Sequence, residues 1–269
     1  MFSSLAPARR RLVLVLLTVV LVAAVAGVLA VVAGRSSDRP VAAVVQSVPG
    51  PVLLVPGYGG STDGLNVLAE RLRAAGRDAA VVNLPDGGTG DLVAQARTLA
   101  DAVDATRTRT GAGSVDVIGY SAGGVVARIW AKDLGGAAQA RRILTLGSPH
   151  HGTQLAGLAA GLVPGQCPTA CQQLAPGSAV LSALNAGTET PAGPQWVSLW
   201  TTVDQVVVPP GSASLIGALD LPVQAVCASS TVDHGNLPRD PTVGALVLAE
   251  LGPGPTVTPG TADCANYGG

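Results

Sequence analysis

SVDVIGYSAGGVVARIWAKDL, residues 114–134, is the stretch on which the fold turns. Its first half, 114–121, is a short, mostly apolar run of the kind that makes a buried strand. Its second half, 122–134, has the spacing and composition of a helix. Between them lies Gly119-Tyr120-Ser121-Ala122-Gly123. A serine on so sharp a strand-to-helix turn forms a nucleophile elbow, which strains the serine backbone and lifts its hydroxyl out of the sheet. Side chains two residues to either side would collide, so glycine suits 119 and 123. The chain has 35 glycines in 269 residues. The pattern alone can therefore arise by chance as a plain glycine-rich turn, and the rest of the chain has to decide.

Outward from the elbow, strand-like and helix-like runs alternate. Residues 51–55, 78–84, 141–147, 195–203 and 222–229 are expected as strands, and 62–75, 90–109 and 241–251 as helices. That rhythm predicts an α/β fold, a mainly parallel central sheet with helices on both faces. Such sheets carry their reactive groups on loops beyond the C-terminal ends of the strands. Residues 152–194 break the rhythm; they are rich in Gly, Ala and Pro and are expected either as a cap or lid over the site or as a surface excursion. The expected organisation is 1–34 as signal anchor or signal peptide, 35–50 as linker, 51–252 as the catalytic domain and 253–269 as a Pro- and Gly-rich tail, poorly structured until Cys264.

Residues 12–34 are uncharged and almost wholly apolar, and Arg9, Arg10 and Arg11 precede them. At 1.5 Å per residue this stretch is long enough for a bilayer core of about 30 Å. The arginines would stay cytoplasmic and leave the remainder outside. A cleaved signal peptide is the competing expectation, with Val31-x-Ala33 as its small-residue site. Either way the chain is exported, anchored in the membrane or secreted. Four cysteines suit that compartment. Of three possible pairings, Cys167 with Cys171 and Cys227 with Cys264 are favoured, the second tying down the tail. No CxxC pair points to zinc or redox chemistry. The net charge of −1 gives nucleic-acid binding no electrostatic support. The oligomeric state is open, with a monomer expected.

A serine hydroxyl needs a base to attack a carbonyl at neutral pH. The chain has three histidines, His150, His151 and His234. His234 follows the last expected strand, where a loop can hold it above the sheet, whereas His150 and His151 come too early if an acid lies between nucleophile and base. The base in turn needs a carboxylate to fix its tautomer. Asp133, Glu189, Asp204, Asp220 and Asp233 lie in the interval. Asp204 directly follows the strand WVSLWTTV, and the others are badly placed. An oxyanion requires two preorganised N–H donors. Ala122, after the nucleophile, is one; Tyr58, in the loop Pro56-Gly57-Tyr58-Gly59-Gly60, is assigned as the other.

The order PGYGGST, GYSAGG, TLGSPHHGT, TTVDQVVVP and DHGNLP resembles the α/β-hydrolase fold, and within it the small bacterial class 2 lipases and esterases, over roughly 51–252. The resemblance implies carboxylic-ester hydrolysis, often of lipid esters, without a cofactor or metal. Ser121, Asp204 and His234 match the family's nucleophile, acid and base, and Tyr58 and Ala122 its oxyanion positions. Two departures stand out: Pro56-Gly57 replaces a common His-Gly, and the 152–194 excursion is longer than in minimal lipases. His150 and His151 match a family segment and are expected to shape the loop near the site. The expected partner is a lipid or small ester substrate. The same triad would also serve a thioesterase, or an acyltransferase working on envelope lipids. Outside enzymes, the alternative is a non-catalytic, membrane-tethered binding module that kept the fold.

Overall fold

The computed structural model describes residues 18–22 and 44–268. The apolar stretch at 12–34 lies outside the described residues except for 18–22, which are helical. Among the described residues no helix is long and apolar enough to cross a membrane.

From Pro51 onward the chain alternates as the pattern predicts. Strand β1 is Val52–Val55, helix α1 Asp63–Ala74, β2 Ala79–Val81, α2 Leu92–Thr110, β3 Val115–Tyr120, α3 Ala122–Asp133 and β4 Ala140–Leu146. Three short helices follow, α4 Gln154–Leu162, α5 Thr169–Gln173 and α6 Ala179–Asn185. Then come β5 Gln195–Trp200, β6 Leu219–Pro222, α7 Val223–Val226 and α8 Pro241–Glu250. The strands form one sheet in the order β2-β1-β3-β4-β5-β6, and every neighbouring pair is parallel.

Strand side chains alternate between two apolar layers, as the period of two requires. Leu53, Val55, Val115, Val117, Ile143 and Trp196 join the layer under α2, α3 and the excursion helices. Val52, Leu54, Ile118, Leu144, Val197 and Leu199 join the layer under α1 and α8. Helix α1 turns Leu65, Leu68 and Leu72 inward at helical spacing. Helix α2 starts where the Asp91 carboxylate accepts from the Val93 N–H and stops at Gly111, whose φ of 68° suits glycine.

The strand expected at 222–229 is a different object. It runs as β6 only to Pro222 and then turns into α7. Proline brings no N–H to a ladder, and its fixed φ is compatible with a helix start, so the run ends as a strand there. The excursion 152–194 is mostly helical, and Cys167–Cys171 closes within it, with Cα atoms 5.3 Å apart. Cys227–Cys264 joins the end of α7 to the tail, Cα to Cα 4.9 Å. Both pairs are those expected from the sequence.

The tail has no regular helix or strand over 253–260, and buried charges hold its start. Arg142 donates to the carbonyls of Glu250 and Gly254, and the Val257 N–H donates to the Glu250 carboxylate at 3.3 Å. A short turn of helix at Thr261–Tyr267 follows. Nearby, fully buried Asp116 accepts from Arg141 Nε at 2.9 Å and Nη2 at 2.7 Å, and from Arg77 Nη2 at 2.5 Å. Arg141 also donates to the carbonyls of Gln46, Leu251 and Gly252, so one carboxylate and its arginines bind both flanking segments to the N-terminal ends of β3 and β4. Removing one partner of a buried ion pair strands the other. Asp116→Ala should therefore cost about 3–5 kcal/mol of folding stability, read as a lower urea midpoint with an unchanged slope; a change under 1 kcal/mol, roughly the worth of a surface pair, would show that the cluster does not anchor the fold.

Candidate functional site

The elbow glycines are forced by contact. A Cβ at Gly123 would sit 2.2 Å from the Val55 carbonyl oxygen, and one at Gly119 would meet the Gly124 Cα at 2.5 Å. Gly124 is equally constrained, with Ser148 Oγ 2.0 Å from where its Cβ would be. Helix α3 thus approaches β1 and β3 nearer than any side chain allows. The turn leaves Ser121 at φ 51°, ψ −125°, a region a non-glycine residue occupies only when its surroundings impose it. The Ser121 N–H is satisfied by the Leu146 carbonyl at 2.8 Å, and Ser121 O accepts from Gly124 at 3.0 Å.

Three side chains from separate loops meet above this turn. His234 Nε2 lies 3.0 Å from Ser121 Oγ, and His234 Nδ1 lies 2.7 Å from Asp204 Oδ2. A carboxylate only accepts, so Nδ1 carries the proton it donates to Asp204, and Nε2 is left to accept from the serine hydroxyl. Asp204 Oδ1 accepts from the Val206 and Val207 N–H groups, each at 2.8 Å. Both Asp204 and His234 are buried. Gly147, just past β4, makes room for them: its φ is 54°, and a Cβ there would stand 3.2 Å from His234 Nδ1 and 2.7 Å from Leu237 Cδ1.

The loops that bring these groups together are fastened to each other. Thr201 Oγ1 donates to the Val232 carbonyl at 2.7 Å, joining the start of the aspartate loop to the histidine loop. Gln224 on α7 donates to Thr201 Oγ1 at 2.9 Å and to the Ser230 carbonyl at 3.1 Å, and accepts from the Thr202 N–H at 2.9 Å. Gln224 was hidden in a run expected as strand, and nothing local marks it.

The other candidates fall elsewhere. Asp233 caps the turn that starts at His234 by accepting from Asn236 N–H at 2.9 Å. Asp220 lies in β6 and accepts from Trp200 Nε1. Asp133 ends α3. Glu189 pairs with His151, Oε1 to Nε2 at 2.9 Å, and takes the Ile216 N–H on Oε2 at 2.9 Å. His150 is fully buried beside Thr145 Oγ1 at 3.1 Å; burial, with Arg128 and His151 close by, drives its pKa far down and keeps it neutral. Ala122 is the first residue of α3, where first-turn N–H groups have no intrahelical acceptor. Tyr58 lies in the turn after β1. Its neighbour Gly57 approaches so closely that a Cβ there would be 2.9 Å from Ser121 Cβ. Among the described residues no group of three or more His, Cys, Asp or Glu is placed to hold a metal ion.

The elbow helix also holds the excursion. Arg128 on α3 is fully buried and donates to Asn185 Oδ1 at 2.9 Å and to the carbonyls of Leu184 and Glu189, each at 3.2 Å. Burial, opposed by the charge of Glu189, pushes its pKa down to about 10, so it stays a cation at neutral pH. One turn on, Lys132 Nζ donates to the carbonyls of Ala183, Leu184 and Ala186 at 3.2, 2.8 and 2.9 Å. Two cations at the C-terminal end of α6 suit both its free carbonyls and its dipole.

A serine–histidine–aspartate hydrogen-bond chain at the C-terminal edge of a parallel sheet, its histidine and aspartate buried and its serine on a strained strand-to-helix turn, is the arrangement of an α/β-hydrolase. A sequence profile of the lipase (class 2) family matches residues 81–220, just over half of the chain. The chain belongs to that family. No curated protein matches it. Among solved structures, it is similar to Aspergillus fumigatus lipase B, at 21% identity and a TM-score of 0.69 over 87% of this chain and 60% of the fungal one. The chain thus spans about three-fifths of that protein's length. It is also similar to an α/β-hydrolase enzyme from the metagenome of lagoon sediments at Mar Chica, Morocco, at 15% identity and a TM-score of 0.53, covering 76% of this chain and 90% of that one. At these identities the likeness concerns the fold.

Glu189 yields a pH expectation. Burial pushes its carboxyl up, but the His151 and Ile216 hydrogen bonds outweigh that and hold it below its ordinary value. A carboxyl lowered by folding stabilises the fold fully above its unfolded pKa, about 4.3, and loses that contribution as pH falls through the folded value. The thermal midpoint of the native protein should thus fall more steeply below about pH 4.5 than that of Glu189→Gln. Parallel curves for the two proteins would mean that the pair stores no stability.

Proposed function

We propose that this protein hydrolyses carboxylic esters through a covalent acyl-enzyme, with Ser121 as nucleophile, His234 as base and Asp204 as the acid that orients the base. The observation that carries the proposal is the continuous hydrogen-bond chain from Ser121 Oγ through both His234 ring nitrogens to Asp204. As Oγ attacks the ester carbonyl, its proton passes to Nε2. Negative charge gathers on the carbonyl oxygen and is met by the N–H groups of Tyr58 and Ala122. His234 then gives its proton to the departing alcohol. Water repeats the sequence and releases the carboxylic acid, restoring the serine hydroxyl. Asp204 accepts from two loop N–H groups on one oxygen and orients the imidazole with the other.

An apolar acyl or lipid ester fits the surroundings. Residues 143–188 contain no Asp, Glu, Lys or Arg. Helix α4 exposes Leu155, Leu158 and Leu162, the last with 77% of its surface free. Its start is hydrogen-bonded to the loop beyond Asp204, Gln154 N–H to the Val208 carbonyl at 2.8 Å and Thr153 Oγ1 to the Val206 carbonyl at 2.7 Å. This uncharged face therefore begins beside the reacting groups and favours acylglycerol-like substrates over charged ones. Two disulfides and the apolar N-terminal stretch support a place outside the cytoplasm, with the catalytic domain anchored or released there.

Ser121→Ala should abolish ester turnover while leaving folding stability within about 1 kcal/mol of native; persisting hydrolysis by this variant refutes the nucleophile. Asp204→Asn should lower kcat by about four orders of magnitude, as loss of the orienting acid does in other triads. A panel of esters of rising chain length, offered dissolved and emulsified, tests the substrate. Turnover should rise with acyl length, and a preference for acetyl or charged acyl groups would overturn the lipid assignment.

A further inference from the structure

We propose that Tyr120, the residue before the nucleophile, is a positioning residue that holds the His234 imidazole in line between Ser121 and Asp204. This rests on the triad proposed above. The Tyr120 hydroxyl donates to the backbone carbonyl of His234 at 3.1 Å. The two rings lie with centroids 5.2 Å apart, tilted by 36°. The ring is hydrogen-bonded at Nδ1 to Asp204 and at Nε2 to Ser121, but the second bond is given up once Oγ has attacked, and rotation about the Cα–Cβ and Cβ–Cγ bonds could then swing Nε2 out of line. The phenol removes this freedom twice: its ring stands against one side of the imidazole, and its hydroxyl ties down the backbone from which the imidazole hangs. On the opposing loop, Gly147 contributes no side chain that could push back.

The arrangement has a consequence for how the reacting atoms are aligned. Tyr120 and Ser121 are one dipeptide, so the strained turn that aims Oγ also sets the phenol that aims the base. A shift of the elbow then moves nucleophile and base together, and their separation is preserved. The phenol is well suited to a permanent donor's role. Burial pushes its pKa up to about 12, with the negative charges of Asp204 and Asp233 adding and Arg239 opposing, so it stays protonated wherever the base is active.

Tyr120→Phe removes the hydroxyl and keeps the ring; Tyr120→Ala removes both. With a soluble ester, Tyr120→Phe should lose about tenfold in kcat, the worth of one hydrogen bond, with KM within about twofold of native. Its rate of inactivation by a fluorophosphonate should fall by the same factor, and Tyr120→Ala should fall further. Proton NMR supplies a readout that a purely structural residue would not move: the downfield Nδ1–H signal of His234 should broaden or shift in Tyr120→Phe. Native kcat and native labelling in Tyr120→Phe overturn the proposal, as does a loss confined to KM or an unmoved Nδ1–H signal. If Tyr120→Ala fails to fold, Tyr120→Phe decides alone. Failure of the native protein to react with the fluorophosphonate at Ser121 is a different result; it removes the triad itself and this inference with it.

Discussion

The first turn of helix α3 packs against the ends of β1 and β3 with no side chain between them, and the rest of the site follows from that contact. Gly119, Gly123 and Gly124 permit it, since a Cβ at any of them would lie within 2.5 Å of a neighbouring atom. The close approach forces Ser121 into a left-handed backbone conformation. That strain, of order 1–3 kcal/mol, is offset by the apolar layers that fix the helix to the sheet, where Val125, Val126, Ile129 and Trp130 are all buried. The serine is thereby held out from the sheet edge at a fixed height, and the histidine loop has a fixed target.

Helix α3 does a second task further along. Its Arg128 and Lys132 bind the carbonyl end of α6 and the stretch through Glu189, so the helix that follows Ser121 also anchors the segment lying over that side of the sheet. His151 and Glu189 add a link from the loop after β4 to the same segment. A displacement of the excursion would have to break hydrogen bonds made by a buried guanidinium, a costly step in a low-dielectric interior. The uncharged α4, by contrast, buries only Ala156 and is held mainly at its start.

Charge is distributed between the two ends of the sheet. At the C-terminal edge a single carboxylate, Asp204, is compensated by backbone N–H groups and one imidazole. At the N-terminal edge Asp116 is surrounded by Arg77 and Arg141, with Arg142 and Glu250 beside them, and these groups fasten both flanking segments. Burial raises the Glu250 carboxyl, with Arg142 and the Val257 N–H opposing. The second group serves as a clamp on those flanking segments.

The sequence by itself indicated the alternation of strands and helices, the elbow and the first five strands, and it favoured both disulfide pairings. These rest on local rules: side-chain period, the exclusion of a Cβ from a tight turn, and loop length between cysteines. It also singled out His234 as the histidine expected beside Ser121, since only three histidines exist and the other two come too early in the chain. Tertiary structure decided what depends on groups far apart in the chain. That Asp204 rather than Asp220 or Asp233 faces His234 follows from which strand ends are neighbours. That the strand ends at Pro222 and the run expected as strand at 222–229 turns into helix α7 goes with Pro222 and with Gln224 bridging two loops. Arg128, Lys132 and Asp116 are ordinary charges in the sequence, and their roles exist only because burial leaves each one dependent on a few distant partners.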